Sequence, residues 1–182
     1  MEKHVKKHSV RKSIVLLLAI FCALTVGGTT AYLLSAPAPE TNTFDPAKVT
    51  CTVEETFENG VKTDVGVRNT GNIPAFLRAA VVINWVDANG KIAAATPMEG
   101  ADYTVTWGTK GWKKGDDGFW YYNAAVSPNG RTADLIELAQ PIGTPDGYTL
   151  RISIMASAIQ AAPPAAAQDA WGVTVDGNTL IP

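Results

Sequence analysis

The chain has 182 residues, of which 46% are hydrophobic and 18% are charged, and its formal net charge is −2 at pH 7. Both histidines, His4 and His8, lie near the N-terminus, and Cys51 is the one cysteine beyond residue 31. A chain that loses residues 1–31 therefore has no histidine for a catalytic triad or a common zinc site, and no intrachain disulfide. It keeps ten basic and sixteen acidic residues, a net charge of −6, which argues against nucleic-acid binding.

The first 31 residues have the pattern of a secretion signal. Five basic residues precede an apolar run of thirteen residues at 14–26. This run is shorter than the roughly 20 residues of a membrane-spanning helix. Small residues at Thr29 and Ala31 predict that signal peptidase cleaves between Ala31 and Tyr32, with Ser35-Ala36 as a second candidate. We therefore expect a secreted protein. The alternative is an uncleaved anchor, which would be its sole contact with a membrane.

Residues 32–48 differ in composition from the rest of the chain. They begin with apolar residues and then become rich in Pro, Thr and Asn, with prolines at Pro37, Pro39 and Pro46. Because proline cannot donate a hydrogen bond to a sheet, we expect an extended N-terminal arm here. The folded domain is then predicted to comprise residues 49–182.

From Val49 onward the pattern is that of β-strands separated by turns. Apolar and polar residues alternate from Val49 to Phe57, and Asn59-Gly60 favours a type I′ hairpin. About eight strands are predicted, at 49–57, 61–69, 75–86, 103–107, 132–139 and 148–158 and in a hairpin at 112–122. The spacing predicts an all-β sandwich with a jelly-roll or Greek-key layout.

Two short elements are predicted outside this sandwich. A C-terminal helix is expected at 165–171, since Pro163-Pro164 precedes it and Gly172 follows it. A further short strand is expected at 173–175. At the other end of the chain, the apolar run at 14–26 is expected to form the helix of the signal.

Two local features are candidates for binding. Five aromatic residues fall within 16 positions, and they either line the sandwich core or form a platform for a sugar or a peptide: Trp107, Trp112, Trp120, Tyr121 and Tyr122. Asp116 and Asp117 are a weak candidate for a calcium site, although they also suit a simple turn. No catalytic or cofactor-binding motif is present in the sequence, and we expect neither an enzyme nor a cofactor.

Several segments, in their order along the chain, resemble those of TasA and camelysin-type proteins. Gly-Gly-Thr-Thr-Ala at 27–31 is similar to signal peptides processed by SipW-type peptidases. The other similar segments are Asn-Thr-Phe at 42–44, the strand junction at 67–78, the hairpin at 112–122 and the C-terminal segments at 158–160 and 170–173.

This resemblance implies a jelly-roll subunit, major or accessory, of extracellular biofilm matrix fibres in a Gram-positive bacterium. Such subunits join by donor-strand exchange, in which an N-terminal arm adds a strand to a neighbour. The candidate donor residues are Tyr32, Leu33, Leu34 and Phe44, and the expected partners are further copies and other matrix or surface proteins. Two alternatives remain, namely a cell-surface carbohydrate- or protein-binding module and a camelysin-like metallo-endopeptidase. The lack of histidine disfavours the endopeptidase.

Overall fold

The computed structural model describes residues 14–17 and 46–182. Residues 14–17 are helical, and residues 46–182 form a compact unit, here called the body. In these described ranges, no helix is long and apolar enough to cross a membrane. The predicted cleavage and donor positions lie outside the described residues; they are Thr29, Ala31, Tyr32, Leu33, Leu34 and Phe44.

The body contains ten strands and a short helix. The strands are β1 Cys51–Glu58, β2 Val61–Asn69, β3 Ala75–Asp87, β4 Tyr103–Trp107, β5 Trp112–Lys114, β6 Trp120–Tyr122, β7 Ile136–Pro141, β8 Tyr148–Gln160, β9 Thr174–Asp176 and β10 Thr179–Ile181. The helix, Ala165–Trp171, ends at Gly172, whose φ of 68° suits glycine. The predicted helix is thus confirmed, whereas β10 was not predicted.

Two four-stranded antiparallel sheets pack face to face. The first sheet has the order β1-β2-β7-β4 and the second the order β5-β6-β3-β8. Val65, Val67 and Ile136 of the first sheet join Leu77 and Ala79 of the second in one core, and each of these five side chains is fully buried. The predicted all-β sandwich is confirmed. Its jelly-roll or Greek-key layout stays a prediction.

A second, smaller core lies on the outer face of the second sheet. Phe76 and Tyr121 project there from β3 and β6 and are covered by the C-terminal helix and the β9–β10 hairpin. Ala167, Val173 and Leu180 complete this cluster. The hairpin and the helix therefore shield this cluster from water.

Two predicted strand features had different outcomes. At the Asn59-Gly60 turn both φ values are positive, 51° and 80°, as a type I′ turn requires. The predicted strand at 132–139 instead begins at Ile136. Thr132 and Leu135 donate isolated backbone hydrogen bonds to β2, and the segment between them does not continue the ladder.

Candidate functional site at the edge strand β8

Of the four edges of the two sandwich sheets, three are protected against further strand pairing. β5 has three residues, and β4 has five with a register shift at Trp107. β1 has a register shift between Glu54 and Thr56 and carries Glu54, Glu55 and Glu58. Short length, bulges and charges are the usual means by which natural edge strands avoid adding another strand.

The fourth edge, β8, is long and regular and carries a single charge. It pairs with β3 in an unbroken register of thirteen residues, from Tyr148 opposite Asp87 to Gln160 opposite Ala75. It contains no proline, and its one charged residue is Arg151. In the described part of the chain, its other side has no ladder partner. Its outward backbone groups are therefore a template for an added strand.

The interior of the sandwich is incompletely covered beside this edge. Ile152 and Ile154 of β8, Val81 of β3, and Cys51 and Val53 of β1 pack against the core but stay partly exposed. Burial raises the pKa of the Cys51 thiol, which favours its protonated form. This side of the body thus leaves apolar side chains that a further strand would cover.

On the opposite side of the sandwich, two aromatic rings bridge the sheets. There Trp107 of β4 stacks on Trp120 of β6, with ring centroids 4.6 Å apart and an interplanar angle of 19°. These two residues come from different sheets, so the stack joins the sheets at that side. The two sides of the sandwich therefore differ, since stacked indoles bridge the sheets on one side and a cleft lies between β1 and β8 on the other.

The space between β1 and β8 limits how a strand could be added. Their Cα atoms approach within 8 Å, whereas a strand hydrogen-bonded to both would need them about 9.6 Å apart. An added strand therefore pairs with β8 alone unless the sheets separate. The space widens towards Phe57 into a cleft of about 480 Å³, lined also by Glu55, Lys62, Leu150 and Ile152.

An ion pair lies in this cleft. Lys62 is 8% exposed, and its partner in β7 is the buried Ala139, so its side chain points between the sheets. Its Nζ lies 2.7 Å from both carboxylate oxygens of Glu55. Lys62 and Val65 both point inward, although residues three positions apart in a regular strand lie on opposite faces. The irregularity in β2 that allows this lies at Asp64, whose φ is 55°.

The five clustered aromatic residues lie in two separate places. Trp112 is 5% exposed, donates a hydrogen bond of 2.8 Å to the carbonyl of Ala133, and meets Tyr122 edge-on. With Trp107 and Trp120, these two belong to the main core. Tyr121 points to the other face of β6 and packs against Trp171. The five therefore do not form one exposed platform.

The side chains of Asp116 and Asp117 lie in the β5–β6 hairpin. Asp117 accepts a hydrogen bond of 2.6 Å from the Tyr121 hydroxyl and one of 3.1 Å from the Phe119 backbone. The bond from Tyr121 is the main cause that lowers the pKa of Asp117. Among the described residues, no group of three or more His, Cys, Asp or Glu side chains could hold a metal ion.

Arg78 connects this hairpin to the C-terminal helix. Its guanidinium lies 4.1 Å from the ring centroid of Phe119 and 4.7 Å from that of Trp171. It also donates a hydrogen bond of 3.3 Å to the Tyr121 hydroxyl. These cation–π contacts hold the helix on the outer face of the second sheet.

The residues that lead into β1 are fixed by Asn72. Its side chain accepts a hydrogen bond from the Lys48 backbone (2.6 Å) and donates one to the Pro46 carbonyl (3.0 Å). Its own backbone N–H donates to the Lys48 carbonyl at 3.0 Å. Pro46 and Lys48, which were predicted to belong to the arm, are therefore bound to the body.

Neither β8 nor Asn72 was predicted from the sequence to be functional. Whether a strand is an edge depends on the order of strands in the sheet, which the alternation of residues does not reveal. The sequence nevertheless contained an indication that this strand could accept a partner, since β8 is long, has a single charge and lacks proline.

Compared with models of known protein families, with curated proteins and with solved structures, the chain matches none.

Proposed function

We propose that this is an exported structural protein whose copies join by strand addition, the N-terminal arm of one copy pairing with β8 of the next. The observation that carries the proposal is the long, regular edge of Tyr148–Gln160 beside partly exposed core residues. The resemblance to TasA and camelysin-type proteins supports the same assembly, as a major or accessory subunit of extracellular matrix fibres.

The energetics of β8 favour such an addition. In an antiparallel ladder every second residue bonds to one side, so about half of the thirteen residues present their backbone groups outward. Each hydrogen bond formed contributes about 0.5–1.5 kcal/mol net. Apolar side chains of the arm would also cover Ile152 and Ile154, which adds a hydrophobic contribution.

The sequence of the arm suits an edge position. Cleavage after Ala31 leaves fourteen residues before Pro46, which span roughly 46–50 Å when extended. Pro37 and Pro39 are two positions apart, so both nitrogens can face away from β8 in the same register. Prolines with this spacing are tolerated on an edge strand. Tyr32, Leu33, Leu34 and Phe44 supply apolar side chains.

A protein with a donor segment and a separate acceptor edge assembles without limit. The donor and acceptor surfaces differ, so the contact is heterologous, and a contact that does not close on itself forms a filament. Export separates synthesis from assembly, since removal of residues 1–31 frees the arm at Tyr32.

Deletion of residues 32–45 tests the proposal. The exported protein with and without this segment is compared by sedimentation velocity over a range of concentrations. We expect the complete arm to give polymers and the deletion to give monomers. A synthetic peptide of residues 32–45 should inhibit polymer growth, whereas a scrambled peptide should not. Equal assembly of both proteins would overturn the proposal.

A further inference from the structure

The two ends of the body have different surfaces. One end, here called the arm end, comprises Pro46–Thr50, the 69–73 turn and the 127–130 turn. Hydrogen bonds hold these together, including those from Asn72 to Lys48 and from Asn69 to Gly130. The opposite end, here called the apolar end, comprises the 59–60 and 87–90 turns, the start of β8 and the loops beside β4 and β7.

The apolar end exposes most of the large hydrophobic side chains seen on the body. Five of the eight that are described as exposed lie there, and the exposed fractions of these five range from 40% to 64%: Phe57, Ile92, Met98, Ile142 and Tyr148. Their positions are fixed by the fold, since Met98 and Ile142 both bond to Asp102 and Tyr148 pairs with Asp87. Exposed apolar side chains gathered at one end of a domain favour binding to another protein there.

The arm end also exposes apolar groups. Pro46, Ala47 and Pro74 are exposed there, and the arm enters the body at Pro46. These groups of one copy can meet the apolar end of another copy if the added arm leaves the acceptor at the acceptor's apolar end.

The direction of strand addition decides which ends meet. β8 runs from the apolar end to the arm end. An arm that is antiparallel to β8 leaves the acceptor at its apolar end, so the donor's arm end is placed against that surface. A parallel arm would leave at the acceptor's arm end and bring two arm ends together. Antiparallel pairs are the more stable per residue.

We infer that the partner for the apolar end is the arm end of a second copy, whose arm lies antiparallel on β8. This inference rests on the proposed function and adds the polarity of the polymer to it. The relation is head-to-tail, and each added copy presents a new apolar end to the next.

Single-cysteine variants of the exported chain, residues 32–182, in a Cys51→Ser background test the polarity. Lys48→Cys lies at the arm end and Glu58→Cys at the apolar end, and both positions are exposed. We expect the mixed proteins to form a disulfide between copies upon oxidation during assembly, and Lys48→Cys alone to form none. Polymers that crosslink through Lys48→Cys alone would overturn the inference and leave the proposed function intact.

A matched pair of surface variants tests the contact itself. Ile142 at the apolar end is 55% exposed, and Ile181 in β10, outside that end, is 42% exposed. We expect Ile142→Ser to raise the critical concentration for assembly about tenfold and Ile181→Ser to change it little. Equal effects of the two would overturn the inference. If the protein assembled equally well without the arm, the proposed function would be overturned as well.

Discussion

Lys62 Nζ lies 2.7 Å from both carboxylate oxygens of Glu55, inside the cleft between β1 and β8. The two partners differ in burial, since the Lys62 side chain is 10% exposed and that of Glu55 is 33% exposed. Loss of one partner therefore has unequal consequences for the other. A buried cation that loses its partner cannot be solvated, whereas a partly exposed carboxylate can.

We expect Glu55→Gln to destabilise the protein more than Lys62→Met does. Glu55→Gln leaves the buried ammonium group of Lys62 without its counter-charge, at a cost of about 1–3 kcal/mol after allowing for the exposure of Glu55. Lys62→Met replaces a buried charge by an apolar chain of similar size and should change the free energy of unfolding by less than about 1 kcal/mol. Urea unfolding of the two variants measures the difference, and the reverse order would contradict this description of the cleft.

A pair of glycine substitutions tests the packing beside β7. A Cβ on Gly108 would fall on the backbone carbonyl of Asp134, which cannot move freely. A Cβ on Gly66 would lie 2.6 Å from Cζ of Arg131, the end of a flexible side chain. We expect Gly108→Ala to cost about 3 kcal/mol and Gly66→Ala about 1 kcal/mol. Thermal unfolding of both variants is the measurement, and similar losses would refute the assigned geometry.

The Asp117–Tyr121 hydrogen bond predicts a pH effect. The bond lowers the pKa of Asp117 below its ordinary 3.8, although burial acts in the opposite direction. A depressed pKa means that the stabilisation is present above pH 3.8 and is lost as pH falls through the folded-state pKa. Tyr121→Phe should raise the pKa of Asp117, as followed by NMR of its carboxyl carbon. Tyr122→Phe is the control, because that hydroxyl instead accepts from the Ala133 backbone, and an equal rise there would count against the assignment.

The stacked indoles of Trp107 and Trp120 predict a spectroscopic signature. Two parallel rings 4.6 Å apart should give an exciton couplet in circular dichroism. We expect Trp120→Phe to abolish the couplet and Trp112→Phe to preserve it, since Trp112 contacts Tyr122 instead. A couplet that survives Trp120→Phe while the protein stays folded would show that the stack does not bridge the sheets on this side of the sandwich.

Local patterns in the sequence were sufficient for most elements of the fold. Alternation located β1–β4 and β8 to within a few residues, and Gly172 correctly ended the helix. Long-range hydrogen bonds decided the rest. The segment at 132–135 alternates like a strand. Its backbone bonds to β2, from Thr132 and Leu135, are isolated and form no continuous ladder.

The candidate site could be predicted less well than the fold. The aromatic cluster was recognisable from the sequence, yet its division between two cores depends on the pairing of β6 with β3 and β5. The exposure of the β8 edge depends on the strand order of the whole sheet. Such properties of the assembled sheets are not encoded in any local pattern.

Hydrogen exchange of the β8 amides, measured in monomer and polymer, tests strand addition most directly. In the monomer, every second amide of Tyr148–Gln160 bonds to β3 and should exchange slowly, while the alternate amides face outward and exchange fast. Upon assembly, these alternate amides should slow by about tenfold or more, and the outward amides of β1 should not. Polymers in which the alternate β8 amides still exchange at the monomer rate would contradict the proposal that β8 accepts the arm.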